Sequence, residues 1–136
     1  MPKMVLTAAY LSLNAVTYHG RTKSIELTTE VEEKDVTTFA SLGWKEVLGG
    51  LKSGSLSATF LNDNADNDID ETLWGLQGSV VPFEVRATQS TVSATNPSYT
   101  GSVLIKGWTP IAGSVGDVVE VDVDFPTSGV VTRNVV

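Results

Sequence analysis

The stretch NDNADNDIDE, which ends at Glu71, holds the residues with the clearest potential for chemistry: five carboxylates, three asparagines and no positive charge. The spacing of Asp66, Asp68 and Asp70 resembles a calcium-binding loop. An EF-hand loop, however, needs Gly at its sixth position and Glu at its twelfth. Counted from Asp66, those positions hold Glu71 and Gln77. The spacing therefore does not support a specific calcium site, and we expect no bound metal.

The same acids suit the start of a helix. Asp68 and Glu71 have the spacing of a capping box, in which each side chain accepts from a backbone N–H of the first turn. Asp70 and Glu71 would also lie at the positive end of the helix dipole. We therefore predict a solvated loop leading into a helix over residues 68–77, with Gly78 ending it. Its apolar face consists of Ile69, Leu73 and Leu76.

Two further positions carry residue types that could take part in catalysis. Glu120 and Asp122 lie two apart on a predicted strand, so their carboxylates would project from one face about 7 Å apart, a separation that inverting glycosidases use. Any charged strand face gives this spacing, and solvated charge is the favoured interpretation. His19 is the chain's one histidine and has no recognised nucleophile motif nearby, so we expect a surface residue. No catalytic or cofactor-binding residue is predicted, and no enzymatic activity is expected.

Four large aromatic residues have two possible roles. They could line a carbohydrate-binding groove, or they could pack at contacts between subunits, where aromatic side chains concentrate. One of them, Trp74, falls within the predicted helix and is expected to be partly buried. The sequence leaves both roles open for the other three, which are Trp44, Tyr99 and Trp108.

Composition indicates a single β-rich domain. The chain has 136 residues, among them 19 Val and 16 Thr, which fit pleated strands. It has no cysteine, which excludes thiol chemistry and Cys-based zinc sites. Nine basic and sixteen acidic residues give a net charge of −7, so a basic face for nucleic acid is not expected. The first sixteen residues do not favour a secretory leader, and no stretch approaches a membrane span.

Period-two alternation predicts six or seven strands. On the second of them, Ile25, Leu27 and Val31 are expected to face inward, and Pro82 suggests an edge or a strand start on another. The segment 33–54 has no clear period and is predicted to be a long ordered loop whose apolar side chains need cover, from the domain's own core or from another subunit. The predicted strands are residues 5–18, 24–32, 55–61, 79–87, 99–108, 118–125 and 130–136.

Three segments together resemble a known family. They are DVTTF…GW…LGGLK over 35–52, the Leu-Trp pair at 73–74, and NPSYTGSVLI over 96–105. In order and spacing they are similar to the major tail tube protein of bacteriophages with long, non-contractile tails. The resemblance covers about residues 30–133. None of these segments is a chemical motif, so the specificity lies in their combination.

The resemblance implies a mainly β fold: a β-sandwich or partial barrel with one flanking α-helix, in a single domain over 1–136. Six copies would form a ring by joining their sheets into an inner β-barrel, and rings would stack into a tube around a tape-measure protein. Tail terminator and tail-tip proteins would be further partners. The protein would be assembled in the host cytoplasm and reside in the virion. DNA would pass through the tube without specific binding, and no membrane or cofactor would be involved.

Together with the resemblance, the residue types themselves suggest particular roles. The 33–54 loop would contact other subunits through Val36, Phe39, Leu42, Trp44, Val47 and Leu48. Residues 127–136 would form either a last short strand or an arm exchanged between subunits. Six copies carry a charge of −42, and a wall rich in carboxylates would repel DNA phosphates. The residues expected to face the lumen are drawn from Glu26, Glu30, Glu32, Glu120, Asp122 and Asp124. The alternative function is a non-enzymatic β-sandwich module that recognises carbohydrate or protein.

Overall fold

The computed structural model describes residues 3–62 and 69–136. Within them the chain forms eight strands, one α-helix and two short 3₁₀ turns, at His19–Arg21 and Phe39–Ser41. The strands and the helix are β1 Tyr10–Leu13, β2 Val16–Thr17, β3 Thr22–Asp35, β4 Val47–Leu61, α1 Ile69–Leu76, β5 Val80–Arg86, β6 Ser98–Leu104, β7 Glu120–Pro126 and β8 Thr132–Asn134.

The strands form two antiparallel sheets, which confirms the predicted mainly β fold. One sheet has five strands in the order β2-β1-β5-β6-β8, and the other has three in the order β3-β4-β7. After β7 the chain crosses between the sheets, because Thr127 forms a single antiparallel bridge to Val103 of β6. Neither sheet closes into a barrel, so each keeps open edges among the described residues.

One hydrophobic core lies between the sheets. Both contribute alternate side chains to it, as the period-two patterns predict for half-buried strands. The three-stranded sheet supplies β4 and β7, and the five-stranded sheet supplies β1, β5 and β6. The core side chains of these strands are Leu11, Leu13, Leu56, Ala58, Phe60, Val81, Phe83, Val103, Val121, Val123 and Phe125.

The helix agrees with its prediction. It spans Ile69–Leu76, and Ile69 and Leu73 are fully buried in the core, while Leu76 packs against it. Gly78 follows with a φ of 87°, a left-handed conformation that favours glycine, and its N–H donates to the Ile105 carbonyl. The proposed cap at Asp68 and most of the acidic stretch lie outside the described residues. No described helix is long and apolar enough to cross a membrane.

The predicted first strand over 5–18 is wrong, because the chain turns back within it. Asn14 and Ala15 have φ values of 52° and 65°, and Leu13 pairs with Val16 across this two-residue turn. Positive φ at both central positions is the geometry of a tight hairpin. Asparagine accepts that conformation readily, but alanine does not, so the turn was hard to predict from these two residues.

Pro82 was expected at an edge or a strand start, but β5 is the central strand of its sheet. The proline is tolerated because it lies just beyond the end of β1. There its carbonyl accepts the Asn14 N–H, at a distance of 2.8 Å. The missing proline N–H would point to the same side, where β1 no longer offers a ladder partner, so no hydrogen bond is lost.

The predicted loop over 33–54 is wrong in half of its residues, because 33–35 and 47–54 are strand and the segment forms the outer part of a long β-hairpin. β3 continues to Asp35, and β4 begins at Val47, with a bulge between Val31 and Glu33. No core lies beneath this arm, so Val31, predicted to face inward, is 52% exposed. Gly54 belongs to the pairing itself: a Cβ there would lie 2.8 Å from the Thr28 carbonyl oxygen.

The chain end forms a short strand within the chain. β8, Thr132–Asn134, pairs with β6 of the same chain, and Asn134 Nδ2 donates to Thr100 Oγ1 at 3.0 Å. Within the single chain this is a short last strand, and the alternative, an arm exchanged between subunits, stays a prediction. The expected boundaries of 127–136 shrink accordingly to a three-residue strand.

Candidate assembly surfaces

The end of the long hairpin is an ordered tip, residues 36–46. At its base, the Val36 N–H donates to the Glu46 carbonyl at 3.0 Å, and the Glu46 N–H donates to the Thr37 hydroxyl at 2.8 Å. The Thr37 N–H in turn donates to the Asp35 carboxylate at 2.9 Å. The side-chain and backbone hydrogen bonds from Thr37 favour the charged form of Asp35 and lower its pKa.

The outer part of the tip is fixed by a 3₁₀ turn. The Thr38 N–H donates to the Ser41 hydroxyl at 3.3 Å, and the Ser41 N–H donates back to the Thr38 carbonyl at 3.0 Å. Leu42 then takes a left-handed φ of 54°, and the Trp44 N–H returns to the Ser41 carbonyl. A bulky residue with positive φ costs free energy, so this local shape is strongly specified.

This ordered tip presents large apolar side chains to solvent. Phe39 is fully exposed, and Leu42 and Trp44 are 85% and 79% exposed. The other three residues predicted for subunit contact, Val36, Val47 and Leu48, are exposed to lesser degrees. The structure thus answers the question that the sequence left open: the domain's own core does not cover these side chains. A rigid apolar projection of this kind is typical of an interaction surface.

Two lysines near the base of the tip, Lys34 and Lys45, are paired with carboxylates. Lys45 Nζ lies 2.9 Å from a Glu33 oxygen, and Lys34 forms an ion pair with Glu32. All four side chains are well exposed, so each pair contributes little to stability. Their effect is to neutralise the two lysines locally, which leaves the carboxylates of Asp35 and Glu46 to set the charge beside the tip.

The six carboxylates predicted to face a lumen lie together on the three-stranded sheet. They belong to its two outer strands, β3 and β7, and all are exposed on the face opposite the core. β4 lies between them and contributes the small hydroxyl side chains of Ser55, Ser57 and Thr59 to this face, together with Leu61 opposite Glu120. We call this exposed face of the three-stranded sheet the acidic face. Its carboxylates are those of Glu26, Glu30, Glu32, Glu120, Asp122 and Asp124.

Hydrogen bonds across the strands hold several of these carboxylates in place. Thr59 Oγ1 donates to Asp122 at 2.6 Å, and Ser57 Oγ donates to Asp124 at 3.1 Å. At the end of the sheet, Lys23 Nζ lies 2.6 Å from a Glu120 oxygen, and this hydrogen-bonded partner raises the pKa of the lysine. Lys23 precedes the predicted strand 24–32, and only the strand register reveals this pair.

The acidic face ends in two open strand edges. Among the described strands, β3 pairs with β4 alone, and β7 also pairs with β4 alone along Glu120–Pro126. β3 is 14 residues long, so its free edge extends about 46 Å at the usual rise of a strand. Open edges of this length attract other strands, and proteins generally protect them or use them for assembly.

The aromatic residues proposed for a carbohydrate groove do not come together. Trp108 is buried in the core, and its Nε1 donates to Asp70 Oδ1 at 2.8 Å. Trp74, expected to be partly buried, is 59% exposed on the helix. Trp44 projects from the hairpin tip, and Tyr99 lies half-buried on β6. The structure therefore contradicts a shared groove that includes Trp108.

The remaining candidate sites give little support for chemistry. Glu120 and Asp122 are engaged by Lys23 and Thr59 as described above. His19 begins a 3₁₀ turn, and its side chain lies outside what the structure describes. Of the three acids with calcium-loop spacing, only Asp70 is described, and its carboxylate binds Trp108. Within residues 3–62 and 69–136, no three potential metal ligands cluster.

Two antiparallel sheets around one core, one helix and a long projecting hairpin define the class of fold. Solved structures share it. A chain from the virion of a native gene transfer agent particle superposes with a TM-score of 0.70 at 22% identity, covering 91% of this chain and 95% of that one. A chain from the tail of an empty gene transfer agent particle, refined helically with C6 symmetry, gives 0.61 at 23% identity, covering 82% and 81%.

These similarities confirm the fold that the sequence resemblance implied. They come from structure alone, because no protein-family model and no curated sequence matches the chain. Both neighbours belong to tail or virion particles, and the match spans most of each chain.

Proposed function

We propose that this protein is a structural, non-enzymatic subunit of a phage-type tail, in which copies assemble as stacked hexameric rings into a tube that conducts DNA. The observation that carries the proposal is the ordered apolar tip, whose side chains remain uncovered in the single chain. The two similar structures, which come from virion and tail particles, support it. The partner of the tip and of the open edges would be further copies of the chain.

The acidic face suits the wall of such a conduit. In the proposed ring, the open edge of β3 in one copy would join that of β7 in the next, so that the three-stranded sheets line the lumen. Six carboxylates and the two lysines paired with them, Lys23 and Lys34, give −4 per copy, and six copies give −24 per ring. Double-stranded DNA carries one negative charge per about 1.7 Å of its axis, so such a wall repels the duplex at close range.

The proposed partners follow from this role. The protein would bind itself within and between rings, and by resemblance it would meet a tape-measure protein inside the tube and terminator and tip proteins at the ends. It would be assembled in the host cytoplasm and reside in the virion.

Electron microscopy tests the proposal directly. Purified protein is concentrated, stained and imaged, with the polymer fraction measured in parallel by sedimentation. We expect hollow tubes or rings with sixfold symmetry and a lumen wide enough for a duplex. A protein that stays monomeric at every concentration, or that forms rings of another symmetry, would contradict it.

A further inference from the structure

An apolar groove opens between the inner face of β3 and the five-stranded sheet. Its volume is about 500 Å³, within the usual range of a binding pocket. Four of its side chains pack against the core on one side and face the groove on the other. Its apolar lining includes Leu6, Ile25, Leu27, Val85, Tyr99 and Val131.

The tip of the same chain cannot fill this groove. Leu27, inside the groove, and Asp35, at the base of the tip, belong to one continuous strand. Eight residues of strand separate them by about 26 Å, and pairing with β4 keeps the arm extended. A tip that enters such a groove must therefore come from another copy, and this kind of contact repeats from copy to copy in one direction.

The charges around the two surfaces are complementary. The groove lining includes two arginines, Arg86 and Arg133, and no acidic residue. A Glu84 carboxylate oxygen lies 2.9 Å from Arg86 Nε and offsets part of the charge of that arginine. Arg133 is exposed and donates to the Tyr99 hydroxyl at 3.4 Å. The base of the tip carries the carboxylates of Asp35 and Glu46. The nearby lysines, Lys34 and Lys45, already form ion pairs within the hairpin. Complementary charge of this kind guides docking and fixes its register.

From these observations we infer that the apolar groove is the receptor for the hairpin tip of another copy of this chain. Phe39, Leu42 and Trp44 supply three large side chains, two of them aromatic, to a groove lined by aliphatic groups and Tyr99. The carboxylates of Asp35 and Glu46 then approach the arginines at its rim. The inference rests on the proposed self-assembly and adds to it the surface that the tip occupies.

Cross-linking tests the contact, and the absence of cysteine gives a clean background. Ala40, exposed within the tip, is changed to Cys and labelled with a benzophenone maleimide, which leaves the three large tip residues intact. Labelled protein is mixed with ¹⁵N-labelled wild type, assembled and irradiated. We expect heavy-isotope adducts on peptides containing Ile25, Tyr99 or Val131. Adducts in tubes that map only to other surfaces would overturn the inference and leave the proposed function standing.

A second variant tests the groove without a probe. Ala87→Trp places an indole in the groove lining, and Ala94→Trp places one on an exposed loop as the matched control. We expect Ala87→Trp to raise the concentration needed for assembly at least about tenfold, with the monomer still folded by circular dichroism, and Ala94→Trp to leave it unchanged. Normal assembly by the Ala87→Trp protein would also overturn the inference. Wild-type protein that never polymerises would refute the proposed function and this contact together.

Discussion

Truncating the tip separates assembly from folding, because the tip touches solvent rather than the core. Phe39 is fully exposed in the single chain and Trp44 is 79% exposed, so replacing either with Ala changes the free energy of unfolding by no more than about 0.5 kcal/mol. If the same side chain is buried at the centre of a contact between copies, its truncation costs at least about 2 kcal/mol of association. That cost corresponds to a rise of about 30-fold in the concentration needed for assembly.

The assay measures both quantities on the same preparation. The soluble fraction after ultracentrifugation gives the critical concentration, and thermal unfolding below that concentration gives monomer stability. Ile111→Ala is the matched control, since this apolar residue is 85% exposed in a segment away from the tip. Phe39→Ala protein that assembles at the wild-type concentration would refute the role assigned to the tip. If Phe39→Ala instead lowers the melting temperature of the monomer as well as assembly, the tip acts through folding.

Three other outcomes follow from the structure. Trp108→Phe removes the hydrogen bond to Asp70 and leaves that half-buried carboxylate without this donor, so chemical denaturation should show a loss of about 1–3 kcal/mol. The lowered pKa of Asp35 means that its charged form stabilises the tip above the ordinary Asp pKa and that this contribution is lost as pH falls through the lowered value. The protection factors of the tip amides, which are exchange rates corrected for the intrinsic effect of pH, should therefore fall on acidification, and Asp35→Asn should remove that fall. Reversing Asp122 and Asp124 to Lys adds four positive charges and takes the acidic face from −4 to 0 per copy, so tubes of the double variant should retain labelled DNA at low salt where wild-type tubes do not.

The strands and the helix that pack on the core could be predicted from the sequence. Leu56, Phe60, Val121 and Phe125 alternate with polar residues because one face of each strand is buried, and the structure confirms that alternation. The helix was likewise predictable from three apolar positions on one face. In these elements the periodicity is a direct consequence of burial.

The hairpin arm escaped prediction for the opposite reason. No core lies under it, so residues 33–54 show no clear alternation, and the glycines of β4 suggested a loop rather than a strand. Gly54 proves to be a place where two backbones approach closely. The apolar residues of the tip were still recognisable as needing cover, because their size and number do not suit a solvated turn.

The placement of individual side chains depended on register, which the sequence does not show. The acidic residues of β3 and β7 are nearly 100 positions apart, and they share a face only because β4 pairs with both strands. Register likewise brings Lys23 to Glu120. Trp108 was expected in a groove or at a contact, and its burial became clear only with its bond to Asp70 from the helix.

A cryo-electron microscopy reconstruction of the polymer formed by purified protein is the most direct test of the central claim, that copies of this chain complete one another's exposed surfaces. We predict a sixfold tube in which Phe39 and Trp44 of every copy are buried against a neighbour and the carboxylates of β3 and β7 line the bore. A polymer with these aromatic side chains still in solvent, or with the acidic face turned outward, would contradict the account.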